Sequence, residues 1–428
     1  MTSSALLTDH YELTMLQAAL HSGAAERTSV FELFGRRLPD GRRYGVVAGV
    51  GRMLEELAEF TFGDNELQFL ERHKVVDAAT LDYLRDYRFT GSMWGYAEGE
   101  IYFPGSPLLI VESTFAQACM LETILLSIYN HDCAIASAAS RMATAAGGRP
   151  LIEMGARRTH EQAAVAAARA AYICGFATTS NLEAARRYGI PSTGTAAHSF
   201  TLLHDSESQA FTAQLESLGK RTTLLVDTYD VKAAVDLAVQ LAGPELGAVR
   251  LDSGDLVTQA HEVRAQLDAL GATGTRIVVT SDLDEYAIAA LAAAPVDMYG
   301  VGTSLVTGSG RPTAGLVYKL VARADDRGEM INVAKKSLDK NSVGGRKYAM
   351  RRVSDSGDAE AEVIGIGEAP VNDGNDRELL VPLVRDGEVV ADAGANAGRA
   401  HHKRALSELP AEARRLSHGE PIIPTIFA

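Results

Sequence analysis

Hydrophobic and polar positions follow one pattern up to about residue 130 of the chain and another from residue 134 onward. In the first part, helical spacing at 8–21 and 46–72 is mixed with alternating runs at 29–34 and 91–111. In the second part, short aliphatic runs alternate with longer helical patterns. The first pattern predicts a mixed α/β domain with antiparallel strands, and the second predicts parallel βαβ units.

The second pattern supplies a series of strands and helices. Strands are expected at 134–137, 150–154, 190–195, 223–226, 248–251, 277–280 and 298–301, and helices at 161–172, 181–188, 231–241, 256–270 and 284–293. Farther along, residues 379–390 predict a hairpin that contains Asp386-Gly387, and residues 401–416 predict a closing helix.

These elements indicate more than one domain, as expected for a chain of 428 residues. We expect an α/β fold in which an irregular β/α barrel, residues 133–325, carries the catalytic site. A mixed α/β domain of sandwich-like form, residues 1–132, precedes it. A C-terminal extension, residues 326–428, follows and is expected to pack back on the N-terminal domain.

Composition narrows the functional classes. The formal net charge of −14 disfavours nucleic acid as a partner, because phosphates attract basic surfaces. No unbroken apolar run reaches the ~18 residues of a membrane span, and the first residues resemble neither a secretory nor a transit signal, so we expect a cytoplasmic protein. Cys119, Cys133 and Cys174 have no CxxC spacing and are expected to be small core residues.

Acidic residues follow three of the predicted strands at similar positions. Asp227, Asp252 and Asp282 lie 25 and 30 residues apart, close to the length of one βα unit. Each could cap the next helix, since Asp is a favoured N-cap. However, each is followed by a second acid, at 230, 255 or 284, and the loops of a barrel meet at one mouth. The sequence alone therefore leaves both capping and a shared site open. In a shared site the carboxylates would repel each other, and Mg²⁺ with a polyphosphate would relieve that repulsion.

Other chemistry follows neighbouring strands. His198 comes after the predicted strand at 190–195 and is flanked by hydroxyls; a hydrogen-bonded structural histidine is the alternative. Arg250 stands among aliphatic residues in a predicted buried strand, where a guanidinium needs an anionic partner. Arg157 and Arg158 follow another strand. Gly300-Val301-Gly302-Thr303-Ser304 is suited to phosphate, although it matches no dinucleotide or Walker pattern.

Seven motifs occur in an order that resembles nicotinate phosphoribosyltransferase, of the type II phosphoribosyltransferase group, from Leu7 to about Arg352. They are Leu7-Thr8-Asp9-His10-Tyr11-Glu12-Leu13-Thr14-Met15, Glu153-Met154-Gly155-Ala156-Arg157-Arg158, Thr179-Ser180-Asn181, Gly194-Thr195-Ala196-Ala197-His198-Ser199, Val226-Asp227-Thr228-Tyr229-Asp230, Arg250-Leu251-Asp252-Ser253-Gly254-Asp255 and Gly300-Val301-Gly302-Thr303-Ser304. The basic segment from Lys335-Lys336-Ser337 to Arg346-Lys347 is also similar to the family's, with Val343 where Pro is expected.

The resemblance implies an enzyme that joins nicotinate to 5-phosphoribosyl 1-diphosphate in the salvage (Preiss–Handler) route of NAD biosynthesis. Nicotinate mononucleotide and diphosphate are formed, with ATP hydrolysed through a phosphohistidine, Mg²⁺ as cofactor and a homodimer with shared sites. The residues it implies are His198 (the phosphohistidine), Asp252 and Asp227 for catalysis; Tyr11, acting across the dimer interface, with Thr195, Arg250, Arg157, Arg158 and Ser180 for nicotinate; Thr303, Gly302, Gly300, Asp282, Ser253 and Gly254 for the phosphoribosyl substrate; and Asp252 and Asp282 for Mg²⁺.

Alternatives remain at this point. A nicotinamide or quinolinate phosphoribosyltransferase is one, although Thr179-Ser180-Asn181 lacks the acid that the resemblance leads us to expect in nicotinamide enzymes, and quinolinate enzymes lack an equivalent of His198. A Mg²⁺-dependent barrel aldolase or hydrolase could use the same acids, but no Schiff-base Lys or His/carboxylate metal set appears at the predicted strand ends. A catalytically dead homologue would lack His198 or Arg250.

Overall fold

The computed structural model describes residues 3–335 and 343–428. The chain forms two compact units, Met1–Ser137 with Arg311–Ala428 and Ala138–Gly310. The domain boundaries expected from the sequence lie after residues 132 and 325, and those of the two compact units lie after residues 137 and 310. The C-terminal residues belong to the same unit as the N-terminal ones.

The helices, numbered in chain order, are α1 His10–Ser22, α2 Val50–Glu59, α3 Asp64–Arg72, α4 Ala78–Arg85, α5 Phe115–Cys119, α6 Glu122–Ala145, α7 Glu161–Ile173, α8 Leu182–Tyr188, α9 His198–Leu203, α10 Glu207–Leu218, α11 Val231–Ala242, α12 Leu256–Ala269, α13 Glu285–Ala290, α14 Thr303–Val306 and α15 Ala395–Ser407. The strands are β1 Thr28–Gly35, β2 Gly45–Val46, β3 Ser92–Tyr96, β4 Ile101–Tyr102, β5 Pro107–Thr114, β6 Leu151–Glu153, β7 Thr178–Thr179, β8 Thr223–Leu225, β9 Ala248–Leu251, β10 Arg276–Val279, β11 Met298–Val301, β12 Leu316–Ala324, β13 Met330–Asn332, β14 Lys347–Val353, β15 Ala359–Ile366, β16 Arg377–Glu378, β17 Leu380–Arg385, β18 Glu388–Val389 and β19 Thr425–Phe427. Short 3₁₀ turns occupy Leu291–Ala293 and Ala411–Arg414.

The first unit is built on an antiparallel sheet with the strand order β13-β12-β1-β5-β3-β17-β18. Strand β1 pairs with both β12 and β5, and the apolar side chains of these strands meet helices α1 to α6 in one core. In this core Phe31 stacks on Tyr318 with ring centroids 4.9 Å apart. Residues from both ends of the chain therefore build one sheet and one core.

The C-terminal part adds further strands to the first unit. Strand β17 pairs with β3 and turns through Asp386 and Gly387, both with positive φ, into β18. This confirms the predicted hairpin, because a two-residue turn of this kind needs left-handed backbone. A second sheet has the order β16-β14-β15-β19. The helix predicted at 401–416 both begins and ends earlier than expected, since α15 spans Ala395–Ser407.

The second unit contains a parallel sheet with the order β7-β6-β11-β10-β9-β8, a half-barrel flanked by α7 to α13. Each neighbouring pair of strands in this sheet runs parallel. The sheet confirms the expected α/β class with parallel βαβ units. Because the strands are parallel, all their carboxyl ends lie at one edge, where such folds bind ligands.

Two of the predicted strands are wrong. Residues 134–137 lie inside α6, where they are buried, and a short apolar run cannot be told from a buried helix by periodicity. Residues 190–195 form a loop with one parallel bridge, between Ser192 and Thr179. Pro191 has no N–H to donate to a ladder, so the pairing there is short.

Two negative expectations from composition concern membrane spans and cysteines. No helix in residues 3–335 or 343–428 has both the length and the hydrophobicity needed to cross a membrane. Cys119, Cys133 and Cys174 are free thiols in buried positions, as expected for small core residues.

Candidate active site

A cavity of about 450 Å³ opens at the carboxyl edge of the parallel sheet in the second unit. Its walls come from the loops after β6, β7, β9, β10 and β11 and from the loop before α9. The predicted site residues that line it are Arg157, Arg158, Ser180, Thr195, Arg250, Asp252, Asp282, Gly300, Gly302 and Thr303. Residues separated by almost 150 positions in the sequence therefore share one pocket.

The second acid of each pair caps a helix. The side chains of Asp230, Asp255 and Asp284 accept backbone N–H groups in the first turns of α11, α12 and α13. Capping is thus done by the second acids, and the alternative that Asp227, Asp252 and Asp282 cap these helices is wrong. Asp252 and Asp282, which come earlier in their loops, face the pocket instead.

Asp227 holds the neighbouring loop, which carries Asp252 and Ser253, through hydrogen bonds. Its Oδ2 accepts the backbone N–H of Asp252 at 2.9 Å and the hydroxyl of Ser253 at 3.1 Å. The Asp227 side chain is only 3% exposed, whereas that of Asp252 is 31% exposed. Asp252 also accepts a hydrogen bond from the Thr280 hydroxyl. These contacts fix the Asp252 carboxylate at the edge of the pocket.

His198 lies beside these acids as the first residue of α9. Its Nδ1 is 3.1 Å from the hydroxyl of Thr228, which holds the ring. Its Nε2 is 3.9 Å from Asp227 Oδ1 and 3.8 Å from Asp252 Oδ2. The ring is thus close enough to both carboxylates for charge attraction, and Nε2 is the nitrogen that remains available for chemistry.

Arg250 combines burial with incomplete pairing. Its guanidinium donates to the Thr195 hydroxyl at 2.7 Å, which is a neutral partner, and its Nε has no hydrogen-bond partner. Burial lowers the pKa of Arg250, although Asp252 and Asp227 act in the opposite direction. Because Thr195 comes from the loop before α9, this bond joins two parts of the predicted nicotinate site.

Close packing explains the glycines at the edge of the sheet. A Cβ on Gly300 would lie 2.5 Å from Thr280 Cγ2 and 2.7 Å from Met154 Sδ. A Cβ on Gly155 would overlap Val306 of α14. Any larger residue at these positions would push the loops apart and change the pocket.

Sequence reasoning missed some residues of this region. Thr280, Ser281, Met154 and Thr193 also line the cavity. Ser281 has a φ of 132°, a backbone conformation that residues other than glycine rarely adopt and that often accompanies a functional site. Its position between a strand and two acids was the available signal, but its backbone angle cannot be read from the sequence.

Three predicted features lie elsewhere. Tyr11 is on α1 of the first unit, where it is 44% exposed, and burial together with Glu122 raises its pKa. Gly254, with φ of 88°, forms the turn that follows Ser253. In the basic segment, Lys336 and Ser337 fall outside the described residues, and Lys347 is buried against Glu32. The role of Tyr11 across a dimer stays a prediction.

Comparison with known proteins agrees with this arrangement. The family model of the nicotinate phosphoribosyltransferase (NAPRTase) N-terminal domain matches the sequence at residues 6–130. The family model of the nicotinate phosphoribosyltransferase (NAPRTase) family matches it at residues 150–356. The chain belongs to the nicotinate phosphoribosyltransferase family. The resemblance carried by the seven sequence motifs is thereby confirmed.

Individual relatives extend the match over almost the whole chain. Nicotinate phosphoribosyltransferase pncB1 of Mycobacterium tuberculosis is 58% identical over 98% of this chain and 94% of its own length. The crystal structure of human nicotinic acid phosphoribosyltransferase superposes with a TM-score of 0.84 at 27% identity, covering 98% of this chain and 97% of that one. A nicotinate-nucleotide pyrophosphorylase from Pyrococcus furiosus has a TM-score of 0.78 over 95% of both chains at 23% identity, which shows a shared fold.

Proposed function

We propose that this protein transfers the phosphoribosyl group of 5-phosphoribosyl 1-diphosphate to nicotinate, and that ATP hydrolysis through His198 drives the transfer. The observation that carries the proposal is the pocket of the second unit. It brings guanidinium groups, two carboxylates and a glycine-rich loop together beside a histidine. Membership of the nicotinate phosphoribosyltransferase family supports the same reaction.

The basic side of the pocket suits an aromatic carboxylate. Arg250, Arg157 and Arg158 supply positive charge, while Thr195 and Ser180 supply neutral hydroxyls. The incompletely paired guanidinium of Arg250 is the group best prepared to meet an anion, because its present hydrogen bond is to a neutral hydroxyl. Nicotinate carries a carboxylate and nicotinamide does not, so this side of the pocket favours nicotinate.

The glycine-rich loop and the turn after Asp252 suit the phosphoribosyl diphosphate. Gly302 precedes Thr303, which begins α14 at the pocket, and the first N–H groups of α14 are free of helical partners and suit a phosphate. Ser253 and Gly254 form the turn after Asp252, and we propose that this turn meets the phosphoribosyl substrate with Asp252 at the ribose. No cluster of three or more possible metal ligands occurs in residues 3–335 and 343–428. Mg²⁺ commonly takes only one or two carboxylates plus substrate phosphates, so Asp252 and Asp282 fit it.

The reaction forms one bond and breaks another at C1 of the ribose. The ring nitrogen of nicotinate attacks C1, the bond from C1 to the diphosphate oxygen breaks, and diphosphate leaves with the electron pair. Mg²⁺, when bound, would neutralise charge on the departing diphosphate. Positive charge develops on the ribose during this step, and the Asp252 carboxylate stabilises it. The Thr280 hydroxyl donates to this carboxylate, and the backbone N–H of Asp252 donates to Asp227.

His198 is proposed to accept the γ-phosphoryl group of ATP. A ring nitrogen forms the N–P bond as ADP leaves, and later attack by water releases phosphate and restores the imidazole. Thr228 holds Nδ1, which leaves Nε2 as the acceptor, and Asp227 lies close enough to stabilise positive charge on the ring. Phosphorylation beside the pocket would change its charge and so couple ATP hydrolysis to binding of the diphosphate substrate.

The resemblance to the family also supports a homodimer in which Tyr11 of one protomer reaches the nicotinate site of the other. Tyr11 is partly exposed on α1, which leaves its ring available to a second chain.

Product formation tests the proposal directly. Purified protein is incubated with 5-phosphoribosyl 1-diphosphate, Mg²⁺ and labelled nicotinate or labelled nicotinamide, with and without ATP, and products are separated by chromatography. We expect labelled nicotinate mononucleotide, formed faster with ATP, and little product from nicotinamide. Efficient use of nicotinamide, or no product from nicotinate, would contradict the proposed function.

A further inference from the structure

Glu153 is the last residue of β6 and directly precedes Met154, which lines the pocket. The proposed reaction does not use its carboxylate. It has no solvent exposure. One of its oxygens accepts the backbone N–H of Gly155, and the other accepts the hydroxyl of Thr179. The pKa of Glu153 is raised because burial outweighs these two hydrogen bonds.

A buried carboxylate held by two neutral donors is costly, because the hydrogen bonds replace only part of its hydration. An apolar or amide side chain at the end of a buried strand would avoid that cost. Positions that depart from local stability rules in this way tend to serve function. The two donors indicate what the carboxylate holds in place.

The first donor belongs to the turn that carries two arginines. Gly155 begins this turn, and its carbonyl accepts the N–H of Arg158 at 2.8 Å. Both Arg157 and Arg158 line the pocket. The hydrogen bond from Gly155 to Glu153 therefore fixes the start of the segment that presents them.

The second donor belongs to the loop after β7. The Thr179 hydroxyl, which donates to Glu153, accepts the N–H of Asn181 at 2.9 Å, and the N–H of Ser180 donates to the Glu153 carbonyl at 2.8 Å. Ser180 lies between these contacts and lines the pocket. One side chain thus joins the two loops that carry three of the predicted nicotinate contacts.

We propose that Glu153 is a positioning residue for nicotinate: its carboxylate holds the Gly155–Arg158 turn and the Thr179–Asn181 loop at the spacing that the pyridine carboxylate requires. This inference rests on the proposed function and assigns a role within the same site. Glu153 does not touch substrate, since its oxygens are occupied by the two loops.

The test changes each end of the bond between Glu153 and Thr179. Glu153→Gln keeps the size of the side chain but replaces one acceptor oxygen with an NH₂ group, so one of the two loops loses its acceptor. Thr179→Val removes the hydroxyl at similar volume, and Thr179→Ser keeps it. Glu161→Gln makes the same chemical change as Glu153→Gln at a glutamate on α7 whose side chain is 80% exposed, and serves as the matched control.

Steady-state kinetics are measured for both substrates. A misplaced loop should raise the KM for nicotinate by about tenfold in Glu153→Gln and Thr179→Val, with the KM for 5-phosphoribosyl 1-diphosphate changed less than about twofold. Thr179→Ser and Glu161→Gln should resemble the wild type. A purely structural role would instead lower the yield of folded protein or alter both KM values together.

An active wild type with an unchanged nicotinate KM in Glu153→Gln and Thr179→Val would overturn the inference alone, as would equal changes in both KM values. If Glu153→Gln does not fold, the comparison of Thr179→Val with Thr179→Ser decides the question. A wild type that forms no nicotinate mononucleotide would overturn the proposed function, and the inference with it.

Discussion

Charged side chains are paired differently in an ion cluster of the first unit and in the pocket of the second unit. In the first unit an ion cluster joins Glu100, Arg351, Glu362, Arg377 and His401, with Arg351 bonded to Glu362 at 2.7 Å and Arg377 to Glu100 at 2.7 Å. In the pocket of the second unit, the hydrogen bond of Arg250 goes to the neutral hydroxyl of Thr195. The cluster is built from opposite charges already in contact, whereas the pocket holds a cation that still needs an anion.

These two kinds of pairing separate structural charges from functional ones. In the cluster, burial would raise the pKa of Glu100, but His401, Arg351 and Arg377 outweigh burial and lower it. In the pocket, burial dominates and lowers the pKa of Arg250. Removing a charge from the cluster should therefore affect stability, and removing one from the pocket should affect binding.

The largest effect is expected for Arg351→Met in the ion cluster. The substitution leaves Glu362, which has no exposure, without its guanidinium, and an uncompensated buried charge costs about 3–5 kcal/mol. Urea-induced unfolding measures the loss. The control is Arg415→Met, which removes an exposed pair with Glu412 at 3.8 Å and should change the unfolding free energy by less than about 1 kcal/mol. Equal stability of the two variants would contradict a structural role for the cluster.

Arg250→Ala in the pocket should cost less free energy than Arg351→Met, and it should weaken substrate binding rather than stability. We expect the KM for nicotinate to rise by roughly 30- to 150-fold, as for a lost charge-assisted contact of about 2–3 kcal/mol, while the unfolding free energy changes by less than about 1 kcal/mol. Arg276→Ala, at the exposed beginning of β10, is the control and should leave the KM unchanged. An unchanged KM in Arg250→Ala would move the carboxylate contact to Arg157 or Arg158.

A pH dependence of stability should come from His402, next to the ion cluster. Burial lowers its pKa to about 4, although its contact with the Gly99 carbonyl acts the other way. The unfolded chain binds this proton near pH 6.5 and the folded chain only near pH 4, so folding loses stability as pH falls through that window, by up to about 3 kcal/mol.

Unfolding measured between pH 7 and 5 separates His402 from Glu100, whose lowered pKa affects stability only at more acidic pH. Burial raises the pKa of Glu12 to about 7, which acts in the opposite direction in this interval, so the contribution of His402 is the difference between the wild type and His402→Gln. The stability of the wild type relative to this variant should fall as pH falls from 7 to 5. The same slope in the variant and the wild type would show that another group titrates there.

Local chemistry made much of the candidate site predictable. Acids after three strands at spacings of 25 and 30 residues indicated repeated βα units, and parallel strands bring such loops to one edge. Asp252 and Asp282 accordingly share a pocket with Arg250. The hairpin at Asp386-Gly387 was predictable for a similar reason, because its two residues tolerate left-handed backbone.

Features that depend on distant partners could not be predicted. The strand expected at residues 134–137 is part of a helical stretch, 132–142, in which every residue is buried, so the apolar pattern has no period that distinguishes a strand from a helix. Arg351 bonds to the carbonyl of Ile101, 250 residues away, and no local pattern announces such a pair. Glu153 looked like the end of a strand, and its function as a bridge emerges only when the loop after β7 is placed beside it.

The coupling of ATP hydrolysis to phosphoribosyl transfer through His198 is best tested by the ratio of transfer rates with and without ATP, in the wild type and in His198→Ala. We predict a clear stimulation by ATP in the wild type and a ratio near one in the variant, with slow transfer retained because Arg250 and Asp252 are intact. Equal stimulation in both proteins would contradict a phosphohistidine at position 198.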